Sequence, residues 1–448
     1  MWTRRAALLA TGLSIAACSA DGQEKSPRAA VDVVVVGAGI AGISAAAYLH
    51  RLGFGVEVVE ARNRIGGRIH TVREWPGIPL DMGASWVHGA AKNPLSKIAD
   101  QAGAERVLTS YESGALYLDP RLGTKKPRLQ RWEDLIDLAL KQAYRRESDE
   151  SVADAVARVS PRLTSRERAE LTFTLNARFV TEWGADPADL SAFTVDEGKE
   201  FAESGVDALF PGGYDQVVNW LARPVGVTTS FPVTSVAVAD EGVTVSGPAG
   251  VRRARAAVLT VPLGVLKRGT IDITLPERTR AAIDALDSGV LSKSFFRFDK
   301  PFWPTSVDWH EYLNAEAGRW SEWVSFAKAG PPVLLGFNGG QVAREVEAAD
   351  PGEVISQAHQ VLRGMFGRST PRPVAVKTSD WSTDRWALGS YSMAAVGSTR
   401  ADRVALTKPI GEGVYLAGES TEPDYHSTVH GAYFSGRRAA KQVAEYLR

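Results

Sequence analysis

The chain has 448 residues, of which 52 are basic and 52 are acidic, so its formal net charge is zero. A chain of this length exceeds a single hydrophobic core and predicts two domains. The balanced charge argues against nucleic-acid binding, which is typical of proteins with a basic excess, and a mean hydropathy of −0.14 excludes a protein with many membrane spans.

The N-terminus has the proportions of a signal peptide. Arg4 and Arg5 precede an apolar stretch, Ala6–Ala17, that is too short to span a bilayer. Thr3-Arg4-Arg5 is similar to a twin-arginine export signal, and Ile15-Ala16-Ala17-Cys18 is similar to a lipobox, whose cysteine is acylated after cleavage. A chance apolar N-terminus is the alternative.

We therefore expect residues 1–17 to be a signal peptide and residues 18–30 to be a tether. The mature protein is then exported to the cell envelope or periplasm, where an acylated Cys18 attaches it to a membrane. Because Cys18 is the only cysteine, the folded part of the chain can contain neither a disulfide nor a thiolate metal cluster. No metal site is predicted.

The segment from residue 31 to residue 60 predicts a dinucleotide-binding unit. Gly37, Gly39 and Gly42 form G-x-G-x-x-G between an apolar strand, Val31–Val36, and a helix, Ile40–Arg51. The first glycine permits a tight turn and the second lets the backbone approach a pyrophosphate. The third lets the helix pack closely on the strand, with its N-terminus facing the phosphates.

A second apolar strand, Val56–Val59, completes the unit and ends at Glu60. This carboxylate lies 18 residues after Gly42, near the spacing of an acceptor for ribose hydroxyl groups. The strands, the helix and the acid together make the glycine motif specific for a dinucleotide, but they do not choose between NAD and FAD.

The continuation makes that choice by resemblance to a family. Glu60-Ala61-Arg62 followed by Gly66-Gly67-Arg68 resembles the FAD fingerprint of the flavin-dependent amine oxidase superfamily, and the chain most resembles polyamine oxidases, spermine oxidases and histone lysine demethylases. Further blocks follow in the family's order and extend the resemblance to the C-terminus: Asp81–Gly89 (DMGASWVHG), Phe210–Ala222 (FPGGYDQVVNWLA), Leu291–Trp303 (LSKSFFRFDKPFW), Arg385–Ser392 (RWALGSYS) and Val414–Ala440 (VYLAGESTEPDYHSTVHGAYFSGRRAA).

The resemblance implies an α/β fold with two interleaved domains. One is a Rossmann-like FAD-binding domain, with three layers around a mainly parallel sheet, formed by residues 31–104, 210–294 and 385–448. The other is an α+β substrate-binding domain formed by residues 105–209 and 295–384. Within these domains, Gln130–Arg178 predicts a helical cap, and the pair Thr228–Ala239 and Gly242–Gly247 predicts a hairpin. Two further strands are predicted at Phe295–Phe298 and Val333–Gly336.

The cofactor implied by the resemblance is FAD. Ser390 occupies the position where monoamine oxidases carry a flavin-linked cysteine, so the binding is expected to be non-covalent. In the family, a strand like the first strand of this hairpin contacts adenine, which nominates Val233. The resemblance of the C-terminal block implies that Glu419 contacts the ribityl–phosphate region and that Val429 approaches the isoalloxazine through its backbone. The full set of implied FAD-binding residues is Gly37, Gly39, Ile40, Ala41, Gly42, Glu60, Ala61, Arg62, Gly67, Arg68, Gly83, Ala84, Ser85, Trp86, Val233, Trp381, Trp386, Gly418, Glu419, Thr428 and Val429.

Lys293 is the implied catalytic residue. It lies in Leu291–Phe295 ahead of the Phe302-Trp303 pair, a context that matches the family's lysine, which hydrogen-bonds through a water to flavin N5. Burial in an aromatic pocket lowers the pKa of a lysine and favours the neutral amine. Such a group can orient water and assist proton transfer.

Four residues are candidates for contact with substrate. Tyr391 matches one wall of the family's aromatic cage, and Thr428 stands at the opposite wall, where monoamine oxidases carry an aromatic residue. His88 is a candidate for hydrogen bonding a substrate nitrogen, and a structural histidine is the alternative. Glu182 matches a cap position where acids meet distal cationic nitrogens, and a solvated surface acid is the alternative.

The implied activity is FAD-dependent oxidation of amines, with polyamines as the first choice of substrate. A hydride passes to flavin N5, the imine hydrolyses to aldehyde and amine, and O2 is reduced to H2O2. Alternatives are a monoamine oxidase, an L-amino acid oxidase, which needs an arginine clamp for the carboxylate, and a peptide-lysine demethylase or protein-binding flavoprotein. The expected partners are a small amine and O2, without nucleic acid, for a monomer or homodimer.

Overall fold

The computed structural model describes residues 31–199, 206–316 and 318–448. The predicted signal peptide, the tether and Cys18 lie outside the described residues. No helix within them combines the length and apolar character needed to cross a membrane.

The described residues form strands and helices, in part as runs of several strands or several helices in succession. The strands are β1 (Val31–Val36), β2 (Val56–Val59), β3 (Thr71–Trp75), β4 (Ile78–Asp81), β5 (Trp86–Val87), β6 (Val107–Thr109), β7 (Gly114–Leu118), β8 (Asp207–Leu209), β9 (Gly226–Thr228), β10 (Ser235–Ala239), β11 (Gly242–Gly247), β12 (Gly250–Leu259), β13 (Asp272–Ile273), β14 (Asp287–Gly289), β15 (Leu291–Arg297), β16 (Trp309–Leu313), β17 (Glu322–Ser325), β18 (Val333–Gly339), β19 (Ala375–Thr378), β20 (Tyr391–Met393) and β21 (Val414–Leu416). The helices are α1 (Ile40–Arg51), α2 (Pro94–Ala102), α3 (Leu129–Ala143), α4 (Val152–Val159), α5 (Ser165–Leu175), α6 (Thr181–Trp183), α7 (Asp215–Ala222), α8 (Leu263–Arg268), α9 (Glu277–Ala285), α10 (Gly340–Ala348), α11 (Pro351–Phe366), α12 (Arg400–Ala405) and α13 (Val429–Leu447).

An eight-stranded sheet forms the middle of three layers. Its order is β13-β10-β11-β12-β1-β2-β9, with β21 also paired to β12, and the pairs around β1 are parallel. Val33 and Val35 face a core shared with α1 and α13, whereas Val34 and Val36 face a core shared with α8 and α9. Because both faces are covered, β1 is a continuous apolar run. The predicted α/β fold with a three-layer nucleotide-binding unit is confirmed.

The second sheet has six strands in the order β19-β15-β18-β17-β16-β7. On β15, Phe296 packs with α10 and α11, whereas Phe295 faces a core that includes Met82. The strand predicted at Phe295–Phe298 in fact begins at Leu291, because the alternation of faces continues through Ser292 and Ser294, whose polarity hid it. β15 therefore crosses the predicted domain boundary at 294, and the domain limits stay a prediction.

The remaining predicted elements differ from the structure at their ends. The cap region Gln130–Arg178 contains α4, α5 and all of α3 except its first residue, as its composition predicts. The hairpin pairs β10 with β11, but β10 begins only at Ser235. Val233 therefore lies before the strand rather than in it, directly after Pro232, which has no N–H to donate to a ladder.

Helices α1 and α13 cross closely at Gly436, which generates a stability prediction. A Cβ added at Gly436 would lie 2.0 Å from the Ala41 carbonyl oxygen, a backbone atom that cannot move without shifting α1. Gly436→Ala should therefore destabilise the protein by about 1–3 kcal/mol, the usual cost of overpacking, as measured by denaturant unfolding. Gly226→Ala is the matched control, since a Cβ there meets nothing within 4 Å. Equal stability of the two variants would contradict the close crossing.

Candidate active site

A cavity of about 1400 Å³ extends from the glycine turn after β1 to the six-stranded sheet. It brings together residues that lie far apart in the sequence, and every predicted site residue lines it except Gly42. These lining residues are Gly37, Gly39, Ile40, Ala41, Glu60, Ala61, Arg62, Gly67, Arg68, Gly83, Ala84, Ser85, Trp86, His88, Glu182, Val233, Lys293, Trp381, Trp386, Tyr391, Gly418, Glu419, Thr428 and Val429.

The glycine turn brings the N-terminus of α1 to the cavity. Gly37 has a φ of 103°, which favours glycine. Gly39 is the N-cap of α1 and has no side chain to bond the first-turn amides. Gly42 lies outside the cavity because its role is packing: a Cβ there would meet the Gly37 carbonyl oxygen at 1.9 Å. The free helix N-terminus fits a pyrophosphate.

Glu60 holds the shape of the same turn. Its side chain is buried, and its two carboxylate oxygens accept hydrogen bonds from the backbone N–H of Ala38 at 2.7 Å and of Arg62 at 2.8 Å. Each oxygen has a further lone pair, so the carboxylate can also accept from ribose hydroxyls that enter the cavity. The residues at this end of the cavity fit a dinucleotide such as FAD.

Two arginines that line the cavity are each fixed by a carboxylate. Arg62 donates to both oxygens of Asp384, at 2.6 and 2.8 Å. Arg68 donates to Glu419 at 2.9 Å and to the Ser390 carbonyl at 3.0 Å. Such pairs hold the guanidinium groups in one orientation.

Glu419 is held by several hydrogen bonds within the protein. Its buried carboxylate accepts from Arg68, from the Ser392 hydroxyl at 2.6 Å and from the Ser427 N–H at 3.1 Å. Burial acts to raise the pKa of Glu419, but Arg68 and the Ser392 hydroxyl outweigh it and lower the pKa. The side chain thus positions Arg68 and the start of α13, and its contact with the ribityl–phosphate region stays a prediction.

Lys293 lies on the cavity face of β15. Its Nζ donates to the Gly83 carbonyl and to the Ser85 hydroxyl, the latter at 2.6 Å, and lies 5.2 Å from the centre of the Trp86 ring. Burial lowers the pKa of Lys293 well below its usual 10.5, although the Asp81 carboxylate acts in the opposite direction. Such a lysine can exist as a neutral amine near neutral pH.

Tyr391 and Thr428, the two predicted cage residues, both have hydroxyl groups that are hydrogen-bonded within the protein. Tyr391 is half-buried, and its hydroxyl donates to the Thr181 carbonyl at 3.1 Å. The Thr428 hydroxyl caps α13, accepting from the Gly431 N–H at 2.9 Å and donating to the Tyr425 carbonyl at 2.7 Å. Thr428 therefore contributes a small wall and a helix cap, not a free hydroxyl.

His88 and Glu182, the two residues predicted to contact substrate nitrogens, have different neighbours in the structure. His88 is about half exposed, and its Nδ1 lies 2.8 Å from Asp207 Oδ2. Burial acts to raise the pKa of Asp207, but the hydrogen bond from His88 outweighs it, so the pKa is lowered. Glu182 is exposed in α6 and raises the pKa values of Tyr391 and Glu322, after the larger effect of burial.

The sequence analysis missed Glu322, a fully buried acid that lines the cavity. Its Oε1 accepts from the Thr181 hydroxyl at 2.9 Å. Burial mainly, and then the carboxylates of Glu311 and Glu182, raise the pKa of Glu322 to about 8. The segment Glu322-Trp323-Val324-Ser325 does not alternate between polar and apolar residues, so no local signal shows which of its side chains meets a cavity.

Strand register places Glu322 at a fixed spacing from Lys293. Lys293 pairs with Phe337 on β18, and Phe337 pairs with Glu322 on β17. Directly paired residues point to the same face of a sheet. With strands about 4.7–4.9 Å apart, the backbones of the lysine and the acid lie about 10 Å apart on one wall of the cavity.

Aromatic side chains form the surface between these two groups. Trp309 stacks on Tyr111 with ring centres 4.2 Å apart, and lies 6.0 Å from both Trp86 and Phe337. Aromatic faces attract cations and pack against apolar chains. Among the described residues, no group of three or more His, Cys, Asp or Glu side chains is arranged to hold a metal ion.

Comparison with known proteins agrees with this geometry. The family described as "Flavin containing amine oxidoreductase" matches residues 40–444. Polyamine oxidase 2 of Arabidopsis thaliana is 32% identical, over 95% of this chain and 90% of its own length. Lysine-specific histone demethylase 1 homolog 3 of Oryza sativa subsp. indica is 31% identical over 94% of this chain, but only 54% of its own length is covered.

A solved structure of putrescine oxidase bound to putrescine has the same fold. The TM-score is 0.76 at 22% identity, over 93% of this chain and 99% of the other. We conclude that the chain belongs to the flavin-containing amine oxidoreductase family and is an oxidoreductase.

Proposed function

We propose that the protein oxidises diamines and polyamines, with FAD bound non-covalently and O2 as the electron acceptor that becomes H2O2. The observation that carries the substrate class is the placement of Lys293 and the buried Glu322 on one wall of the cavity. The relatives named polyamine oxidases and the putrescine oxidase fold support the same choice.

The chain's own groups fit FAD at the glycine-turn end. The N–H groups at the start of α1 would hold the pyrophosphate, and Glu60 would accept from a ribose. When bound, FAD supplies the hydride acceptor, N5 of its ring. The Ser390 hydroxyl accepts a hydrogen bond from the Leu291 N–H at 2.9 Å. Serine has no thiol that could form a covalent link to the flavin.

Lys293 would hold and move a proton beside the ring. Its depressed pKa keeps an amine lone pair available, and the hydrogen bonds to Gly83 and Ser85 fix its direction. A positioned neutral amine can orient a water and accept its proton. The surrounding aromatic wall excludes bulk water from the reacting carbon.

Glu322 would bind the distal, positively charged nitrogen of the substrate. A buried ammonium is costly without a counter-charge, and Glu322 offers one about two strands away from Lys293. Glu182 in the adjoining α6 adds a second negative group near the same end of the cavity. A molecule with two amino groups joined by an apolar chain could place one amino group beside Lys293 and the other beside Glu322.

An amino acid substrate fits less well, because it needs a free arginine. Within the described part of the chain, three arginines line the cavity: Arg62, Arg68 and Arg178. Arg62 pairs with Asp384 and Arg68 with Glu419. Arg178 lies within 2.6 to 3.4 Å of the carboxylates of Glu133, Asp137 and Asp196. Binding a substrate carboxylate would require one of these pairs to break.

Lys293→Met tests the proton-transfer role. The variant should retain FAD but slow amine oxidation or flavin reoxidation by at least ~10-fold, as loss of a positioned acid–base group does. Stopped-flow measurement of both half-reactions checks this. Wild-type rates in both half-reactions would contradict the role of Lys293.

Non-covalent binding of FAD is tested separately by acid precipitation. This treatment should release the full flavin content of the wild type and of the variant into the supernatant. Flavin retained in the protein pellet would contradict non-covalent binding.

Three variants test the recognition of distal substrate nitrogens: Glu322→Gln, Glu182→Gln and His88→Ala. Each should lower kcat/KM for spermidine and spermine more than for 1-aminobutane. Loss of one charge-assisted hydrogen bond is worth about 1.5–3 kcal/mol, or roughly 10- to 150-fold, and the buried Glu322 should show the largest effect.

Glu112→Gln is the matched control, because Glu112 lines the same cavity but is exposed at the surface. It should leave all three kcat/KM values near those of the wild type. Equal losses on the three amines in a test variant would assign that residue to the fold or the cofactor, and no turnover of any polyamine by the wild type would contradict the substrate class.

We further propose that the protein is exported and anchored through an acylated Cys18, on the motifs at Thr3–Arg5 and Ile15–Cys18. Cys18→Ser should move the mature protein from the membrane fraction to the soluble fraction of the producing cell, because acylation supplies the apolar anchor. Unchanged fractionation of the variant would contradict the anchor.

A further inference from the structure

Glu311 lies beside Glu322 on the neighbouring strand of the six-stranded sheet. The two glutamates are paired residues of the antiparallel strands β16 and β17, so their Cβ atoms lie about 4.5–5.5 Å apart on one face. Their neighbours in the same row are apolar, Phe337 beside Glu322 and Leu116 beside Glu311. Two like charges directly opposite each other destabilise a sheet.

No basic side chain of the described residues forms an ion pair with either of these two acids. Among the ion pairs formed by the described residues, none includes Glu311 or Glu322. Trp309, two residues from Glu311 on the same strand face, lines the cavity and has a buried Nε1 without an acceptor among the described residues. Glu322 and Trp309 both line the cavity, whereas the half-buried Glu311 lies beside them outside its lining. A buried acid with a second acid next to it and an unsatisfied donor in the same cavity point to a polar ligand.

We propose that Glu311 and Glu322 act as one unit that holds an exchangeable proton in the ligand-free enzyme and releases it when the second ammonium group of a diamine reaches Glu322. The inference rests on the proposed function. In this step the O–H bond of the carboxyl breaks, its proton passes to water in the open cavity, and the carboxylate pairs with the ammonium, which keeps its own protons.

The groups that face the pair agree with a retained proton. Burial raises the pKa of Glu311, and burial followed by the charge of Glu311 raises the pKa of Glu322 to about 8. Glu182 of α6 faces Glu322 and adds a like charge. The hydrogen bonds from Thr181 and Asn176 act in the opposite direction but are outweighed.

The other titratable groups on this wall do not neutralise the pair. Tyr391 faces Glu322 from β20 with a raised pKa, so it is uncharged, and Lys293 lies two strands away from Glu322. The folded, ligand-free pair therefore binds a proton in the window between the ordinary carboxyl pKa of 4.5 and about 8. Above that window the pair is ionised already and has no proton to release.

Calorimetry on the dithionite-reduced holoenzyme tests the proposal, because reduced flavin cannot take a hydride and the diamine binds without turnover. Titration with 1,4-diaminobutane and with 1-aminobutane, in phosphate and in Tris buffer, gives the number of protons released from the dependence of the heat on buffer. At pH 7 the diamine should release about one proton more than the monoamine, and at pH 9 this difference should vanish.

The variants separate the two carboxyl groups. Glu322→Gln should reduce the diamine value at pH 7 to that of the monoamine. Glu311→Gln should reduce it in part, because removal of the neighbouring charge lets Glu322 ionise at lower pH. Glu112→Gln, an exposed acid of the same cavity, should keep the wild-type value.

Equal proton release for diamine and monoamine in the wild type would overturn the proposal, and so would wild-type release in Glu311→Gln. An enzyme that oxidises diamines but does not bind 1,4-diaminobutane in its reduced form would overturn it as well. Failure of the oxidised wild type to turn over any diamine or polyamine is a different result, since it contradicts the proposed function itself.

Discussion

The alternation of side chains in the six-stranded sheet is the constraint on which the candidate active site depends. Lys293, Phe337, Glu322 and Glu311 occupy one row across four neighbouring strands. A slip of one residue in any strand would turn its member of the row to the other face. The opposite face is locked by a core of Phe296, Leu334, Trp323 and the helices α10 and α11. Burial of that apolar face thus fixes the spacing of polar groups on the cavity face.

The two ends of the cavity differ in how charge is compensated. At the dinucleotide end the charges are paired within the protein, as in Arg62 with Asp384 and Arg68 with Glu419. At the sheet end, the buried Lys293 and Glu322 and the half-buried Glu311 have no ion-pair partner among the described residues. Unpaired buried ionisable groups are destabilising unless a ligand completes them. The uncompensated end is therefore the end that a substrate should occupy.

Local patterns predicted the nucleotide unit well, because each step is encoded within a few residues. The bounds of β1, α1 and β2 agree with the predicted strand, helix and strand, since apolar runs and glycines punctuate them. The position of Lys293 was available only through the family resemblance, because a lone lysine before a strand is usually solvated.

Long-range pairing was not predictable in the same way. Glu322 depends on Thr181, which is 141 residues away in sequence, and on a register with β16 and β18 that no local pattern encodes. Glu419 was assigned to the cofactor by the family resemblance, whereas its hydrogen bond from Arg68, which is 351 residues away in sequence, could not be predicted from any local pattern. Val233 was assigned to a strand because the alternating pattern continues past Pro232, where the ladder has not yet begun.

The central claim is that the cavity accepts an amine at Lys293 and a second cation at Glu322. The most direct test is kcat/KM of the wild type for linear diamines of three to eight carbons, each beside the monoamine of the same length. The account predicts an optimum at one diamine length, with a clear advantage over the matching monoamine that falls on both sides of the optimum. Equal kcat/KM for diamines and monoamines at every length would contradict it.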